Sequence, residues 1–148
     1  NAATALGVAP RALTKQADSV SFCLSKGLAA PAGSLVCGSH ALVRQARRVR
    51  KVLGGGMRQS GILAAAGIVA LTQMADRLAE DHANAQKLAQ GLSAIDGVQT
   101  SPQNVKTNIV YIDITQKNLS AAELVERFQA KGVRLLPTDT HRMRAVNN

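Results

Sequence analysis

The sequence predicts an α/β layer architecture, with helices packed on strands, and three observations lead there. A segment with the two-residue period of a half-buried strand stands at 19–25, and 108–114 reads as a strong strand. Between them an Ala-rich stretch from Ser60 to about Ile95 keeps a helical pattern. The last third then reads strand, helix, strand, strand, and elements alternating in this way must stack in layers to bury their apolar faces.

Taken in order, residues 1–17 read as a helix, a turn and a short helix, with Pro10 suited to a first helical turn, where its missing N–H costs nothing. Ser19 to Ser25 alternates strictly, so Val20, Phe22 and Leu24 share a face, and by parity Lys26 joins them. Gly27 and the residues 29–33 break that strand. Ser34 to Cys37 reads as a second, which suggests a hairpin. Ser39 is a candidate N-cap for a helix from His40 to Leu53 that Gly54-Gly55-Gly56 closes. Its expected inner stripe is Ala41, Leu42, Gln45, Val49 and Val52, with Arg44, Arg47, Arg48, Arg50 and Lys51 around the remainder.

Ile62 to Leu71 is apolar on all sides, which predicts burial all round, by partners or by further parts of the protein. Ala75 to Leu92 is amphipathic, with Leu78, Ala85, Leu88, Ala89 and Leu92 inward. That change of character places an expected domain boundary between 1–76 and 77–148. Beyond it come an edge strand near Val98 and Thr100, a strong strand at 108–114, and a capping box, Ser120-Ala121-Ala122-Glu123, opening a helix that Gly132 ends. Val133 to Leu136 and Met143 to Val146 complete the expected strands.

The composition narrows the function classes. With 148 residues that are 46% hydrophobic, the chain can build a core and is no disordered segment. Its longest uncharged apolar run, Gly61 to Leu71, falls short of the ~20 residues a membrane-spanning helix needs, so no membrane role is expected. Cys23 and Cys37 make neither a disulfide framework nor a metal motif, and a reducing, cytoplasmic setting is expected. The net charge is +9. Arg44, Arg47, Arg48, Arg50, Lys51 and Arg58 fall between 41 and 60, where no acid stands, so an anion served by this charge belongs there. Asn1 is not an initiator Met and no signal core follows it, so both ends read as cuts through a longer polypeptide.

Three places could carry chemistry. Lys26 has no acid nearer than Asp18; it is either a solvated lysine at a strand end or a desolvated amine suited to forming an imine. The run Gly54-Gly55-Gly56-Met57-Arg58-Gln59 before a helix is either a hinge or an anion cradle. It is neither a Walker loop nor a dinucleotide fingerprint, because no Gly-Lys-Ser/Thr follows and Gln59 occupies the place of the third glycine. Arg142 and Arg144, two apart on an apolar strand, share one face and could grip a carboxylate or simply be solvated. No pair of His40, His82 and His141 has metal-ligand spacing, and no metal is assigned.

Several segments together resemble the low-specificity L-threonine aldolases. One is Ser19-Val20-Ser21-Phe22-Cys23-Leu24-Ser25-Lys26-Gly27-Leu28 with Ala30-Pro31 and Gly33-Ser34; another is Arg50-Lys51-Val52-Leu53-Gly54-Gly55-Gly56-Met57-Arg58-Gln59-Ser60-Gly61. Leu78 to Ala85 and Thr107-Asn108-Ile109-Val110 belong to the same pattern, and the similarity runs through essentially the whole chain.

The resemblance implies a pyridoxal-phosphate enzyme of the aspartate-aminotransferase-like fold. Residues 1–76 would be the end of its large cofactor-binding domain and 77–148 its small C-terminal α/β domain. It would cleave β-hydroxy-α-amino acids to glycine and an aldehyde as a homo-oligomer with a shared active site. Lys26 would hold the cofactor, Arg58 would reach its phosphate from a neighbouring subunit, Lys51 would lie close by on the substrate side, and Arg144 would bind the substrate α-carboxylate. The family's Asp-Gly-Ala-Arg motif, its phosphate loop and its ring-stacking histidine belong upstream of Asn1, so the 148 residues alone are expected to be inactive. Asn147-Asn148 departs from the Thr-His pair of the pattern. Two other classes compete: a nucleic-acid-binding module using the basic 44–58 segment, which has few aromatics for stacking, and a non-catalytic interaction fragment.

Overall fold

The computed structural model describes residues 1–148 and divides them into two compact units. The hairpin unit is Leu6–Leu78; the sheet unit is Ala79–Asn148 with Asn1–Ala5. Thus the first five residues group with the second half of the chain rather than with their neighbours in sequence.

The hairpin unit starts with the end of α1 (Ala2–Leu6) and with α2 (Pro10–Thr14), whose first turn holds Pro10. Strands β1 (Ser19–Cys23) and β2 (Ser34–Gly38) pair antiparallel, Val20 opposite Cys37 and Cys23 opposite Ser34. The two cysteines therefore point to opposite faces, and both are free. Helix α3 (His40–Val52) begins at Ser39, whose Oγ accepts the Leu42 N–H. It ends in a Schellman motif: Gly54 adopts φ +78°, its N–H meets the Lys51 carbonyl, and the Gly55 N–H meets that of Arg50. A π-helical turn, Ala70–Met74, follows α4 (Gly61–Val69).

The core of this unit is small: Leu24, Ala30 and Ala70, with Leu28 and Leu35 against them. Within the chain itself, two apolar helix faces are covered less than their patterns suggest. The apolar helix α4 is buried on one face only, at Gly67 with Leu63 and Ala66 half-covered, while Ile62 is 84% exposed. The cluster around Leu24 offers room for a single face, and Gly67 lies so close that a Cβ there would stand 3.1 Å from Leu24 Cδ1. Likewise α3 turns Leu42, Val43 and Ala46 inward, whereas Val49 and Val52 of the expected stripe are exposed.

The sheet unit is a two-layer structure. Strands β3 (Val98–Gln99), β4 (Ile109–Ile114), β5 (Leu136–Asp139) and β6 (Arg142–Val146) form an antiparallel sheet in the order β3-β4-β6-β5. Val110, Ile112 and Ile114 of β4 and Met143 and Ala145 of β6 point into the core, where Ala85 and Ala89 of α5 (Leu78–Ser93) and Ala121 of α6 (Ala121–Gln129) meet them. The last strand pair starts later than expected, at Leu136 rather than Val133. Val133 instead closes the end of α6, its N–H on the Phe128 carbonyl after Gly132 at φ +81°. Pro137 is tolerated in β5 because that strand is an edge, where a bulge also lies. No single helix is long and apolar enough to cross a membrane.

Candidate active site

Lys26 does not continue the alternation of β1. The strand ends at Cys23 because the chain folds back on Leu24, whose N–H bonds to the Gly33 carbonyl and whose carbonyl accepts the Ala30 N–H. Lys26 opens a tight turn closed by the Ala29 N–H on its carbonyl at 2.7 Å, and its side chain is exposed, not desolvated on the apolar face that parity predicts. No carboxylate of the chain pairs with its amine. The turn is strained: Ala29 sits at φ +58°, in the left-handed region that costs a residue with a Cβ ~1–2 kcal/mol. Such strain persists only where the surroundings enforce it, and it concentrates at functional sites.

The second strained position in the chain is Gln59, at φ +53°, directly after Arg58. Arg58 is exposed, and Ser60, at the start of α4, makes no side-chain cap, so the first N–H groups of α4 lack that partner. Lys51, in the last turn of α3, folds over the same loop: a Cβ on Gly56 would stand 2.7 Å from Lys51 Cδ and 3.4 Å from its Nζ. The third glycine is thus what lets this lysine lie along the loop. Lys51, Arg58 and an open helix N-terminus make a cationic region suited to an anion.

Arg144 lies in the sheet unit, on the face of β6 away from the core, with Tyr111 opposite on β4 and Leu136 on β5. Its Nε is buried and makes no hydrogen bond. Arg142 on the same face is engaged: its Nε and Nη2 donate to Asp113 at 2.5 and 3.2 Å, which holds the guanidinium pKa above its usual range. Of the two arginines, only Arg144 has a buried donor without a partner. Leaving a buried charged donor unpaired is costly, and Arg144 Nε shares that state with Asn147 Nδ2.

Sequence reasoning missed several polar anchors of the sheet unit. Asn108 is buried and donates to the Asn147 carbonyl at 3.0 Å, tying the end of β6 to β4. Gln86 donates to the Pro102 and Val105 carbonyls, and Thr100 to that of Ala89 at 2.8 Å, pinning the connection before β4 to α5. Such pairings join residues far apart in sequence and leave no periodic trace. His82 bonds to Asn1 Oδ1 at 3.0 Å; desolvation, with a lesser contribution from the amino-terminal charge, lowers its pKa. No cluster of His, Cys, Asp and Glu is arranged to hold a metal ion.

Known proteins resemble this chain over most of its length. The chain is 44% identical over 147 residues to the probable low-specificity L-threonine aldolase 2 of Arabidopsis thaliana, covering 99% of this chain and 41% of that one. To the low specificity L-threonine aldolase of Escherichia coli (strain K12) it is 44% identical over 133 residues, 90% of this chain and 38% of the bacterial one. It therefore spans about two fifths of the length of the curated relatives it matches. A crystal structure from Listeria monocytogenes EGD-E, provisionally named an L-allo-threonine aldolase, superposes with a TM-score of 0.71 at 21% identity, covering 88% of this chain and 38% of that one. That likeness establishes that the chain shares part of that protein's α/β fold. The profile of the beta-eliminating lyases matches residues 1–115, so the chain belongs to the beta-eliminating lyase family.

Proposed function

We propose that this chain forms part of a pyridoxal-phosphate-dependent carbon–carbon lyase that cleaves L-threonine, L-allo-threonine and related β-hydroxy-α-amino acids to glycine and an aldehyde. The observation that carries the reading is the buried, unpartnered Nε of Arg144, in a chain similar over nearly its full length to proteins named threonine aldolases. An arginine with a free fork is the side chain best matched to a carboxylate, which every amino-acid substrate presents.

The residues fit the cofactor. An exposed primary amine without an ion-pair partner, at Lys26, can condense with an aldehyde. Arg58, beside an uncapped helix start, suits a phosphate. Pyridoxal phosphate, when bound, supplies the electron sink for the pair left when the Cα–Cβ bond breaks. In this reading Lys26 holds the cofactor, Arg58 meets its phosphate from a neighbouring subunit of a homo-oligomer, and Lys51 lies on the substrate side. Arg144 grips the α-carboxylate and so fixes the orientation of the bond to be broken. Residues 1–76 then belong to the large cofactor-binding domain and 77–148 to the small one. The two unpaired cysteines favour a cytoplasmic setting. Nothing in the family match, the relatives or the fold favours the nucleic-acid alternative.

The test is chemical trapping. Incubation with pyridoxal phosphate, borohydride reduction and peptide mapping should put the adduct on Lys26, and Lys26→Ala should remove both the adduct and the yellow absorbance. An adduct scattered over other lysines, or a band that survives the substitution, refutes the assignment.

A further inference from the structure

The outer face of the four-stranded sheet carries Arg142 and Arg144 in unequal states. Arg142 faces Asp113 on β4 and binds it with two donors. On its other flank β5 sets Asp139 opposite, and the Oδ1 of that residue is engaged by the Thr140 N–H at 2.7 Å. Arg144 stands between Tyr111 and Leu136 with its Nε unpartnered. Because Asp113 is opposite Arg142, it is the diagonal neighbour of Arg144. Diagonal neighbours in an antiparallel pair lie ~7–8 Å apart, within reach of a long side chain. A carboxylate released at Asp113 would be drawn to the bare guanidinium, since charge-assisted forks are among the strongest side-chain hydrogen bonds.

We propose that Arg142 is a positioning residue, which occupies Asp113 so that Arg144 keeps its fork open for the substrate carboxylate. This rests on the reading of Arg144 given above. It also separates two roles for the Asp113–Arg142 pair. If the pair only stapled β4 to β6, losing both members would be no better than losing one. If it protects Arg144, removing Asp113 as well should undo the harm of removing Arg142.

The experiment follows the Nε–Hε signal of Arg144 by NMR in the full ¹⁵N-labelled chain, assigned by its loss in Arg144→Lys. Sodium acetate is the probe, with sodium chloride at matched ionic strength as control. The wild-type signal should respond to acetate beyond the chloride effect. Arg142→Gln should weaken that acetate affinity by roughly fivefold, the upper range for a partly exposed ion pair. Arg142→Gln combined with Asp113→Asn should restore it. Arg142→Lys keeps a cation against Asp113, is the milder change should the glutamine variant fold poorly, and should retain most of the response. An unchanged response in Arg142→Gln, no restoration in the double variant, or loss of the response in Arg142→Lys overturns the positioning role while leaving the carboxylate site intact. No acetate response in the wild type overturns the carboxylate site itself, and the positioning role with it.

Discussion

Ala29 and Gln59 share a left-handed backbone conformation, and each stands close after a cationic side chain of the candidate site, Lys26 and Arg58. A left-handed alanine costs ~1–2 kcal/mol, whereas glycine adopts that conformation freely but loses more entropy on folding, by ~0.5–1 kcal/mol. The difference predicts that Ala29→Gly stabilises the fold by up to about 1 kcal/mol, measurable by urea denaturation. A loss of stability instead would mean that the Ala29 methyl contributes packing that outweighs the strain. At the same scale, Lys26, Lys51, Arg58 and Arg144 stand out in the sequence as residue types in particular motifs. Their states do not. That Lys26 is exposed and Arg142 spent on Asp113 depends on where strands end and which register they adopt.

Among the elements, α6 is the one whose start is written most fully in local sequence. The Ser120 Oγ accepts the Glu123 N–H at 3.3 Å, and the Glu123 carboxylate accepts the Ser120 N–H at 2.9 Å. The Ser120 hydroxyl also donates to that carboxylate at 2.7 Å, and the two bonds to the carboxylate, the backbone one foremost, hold the Glu123 pKa below the ordinary range. A depressed carboxylate contributes stability at neutral pH, and that contribution disappears as pH falls through its folded-state pKa. Ser120→Ala should therefore cost about 1 kcal/mol at pH 7. The penalty should shrink once Glu123 is protonated in both proteins, so parallel denaturation curves at neutral and strongly acidic pH check it. A penalty constant with pH would mean that the Ser120 hydroxyl does nothing to hold the Glu123 carboxylate. The amphipathic pattern of α5 is equally legible, because Ala85 and Ala89 fall on one face and both are fully buried. Within the chain itself the patterns of α3 and α4 are only partly met, for a shared reason. An apolar row states that a face is suited to burial, and only the packing partners decide which row is taken.

For the whole molecule, the two units differ in how much core they own. Nine buried residues cluster in the sheet unit and three in the hairpin unit. Local stability follows buried contacts, so amides of β4 and β6 should exchange with solvent at least ~10-fold more slowly than those of β1 and β2. Equal protection in native-state hydrogen exchange would show that the hairpin draws on support beyond its own cluster. The hairpin unit also exposes Val52, Leu53, Ile62 and Ile68, at 79, 79, 84 and 62%. A monomer seldom shows so much apolar surface without binding something to it. The chain should therefore bind a hydrophobic dye such as anilinonaphthalene sulfonate at neutral pH, with fluorescence reduced by Ile62→Ser and Val52→Ser together. Silence of the dye in the unmodified chain would mean that these side chains are covered.

The sequence alone determined the element types, the caps at Ser39 and Ser120, the glycine stop after α3 and the segments that resemble the aldolase pattern. All of these depend on residues within a few positions of one another, where period and capping chemistry suffice. Tertiary structure alone decided that β1 stops before Lys26, that α4 buries a single face, and that Asp113 pairs with Arg142 and leaves Arg144 open. Each of those outcomes turns on strand register or on the supply of packing partners, and both are set by residues tens of positions away.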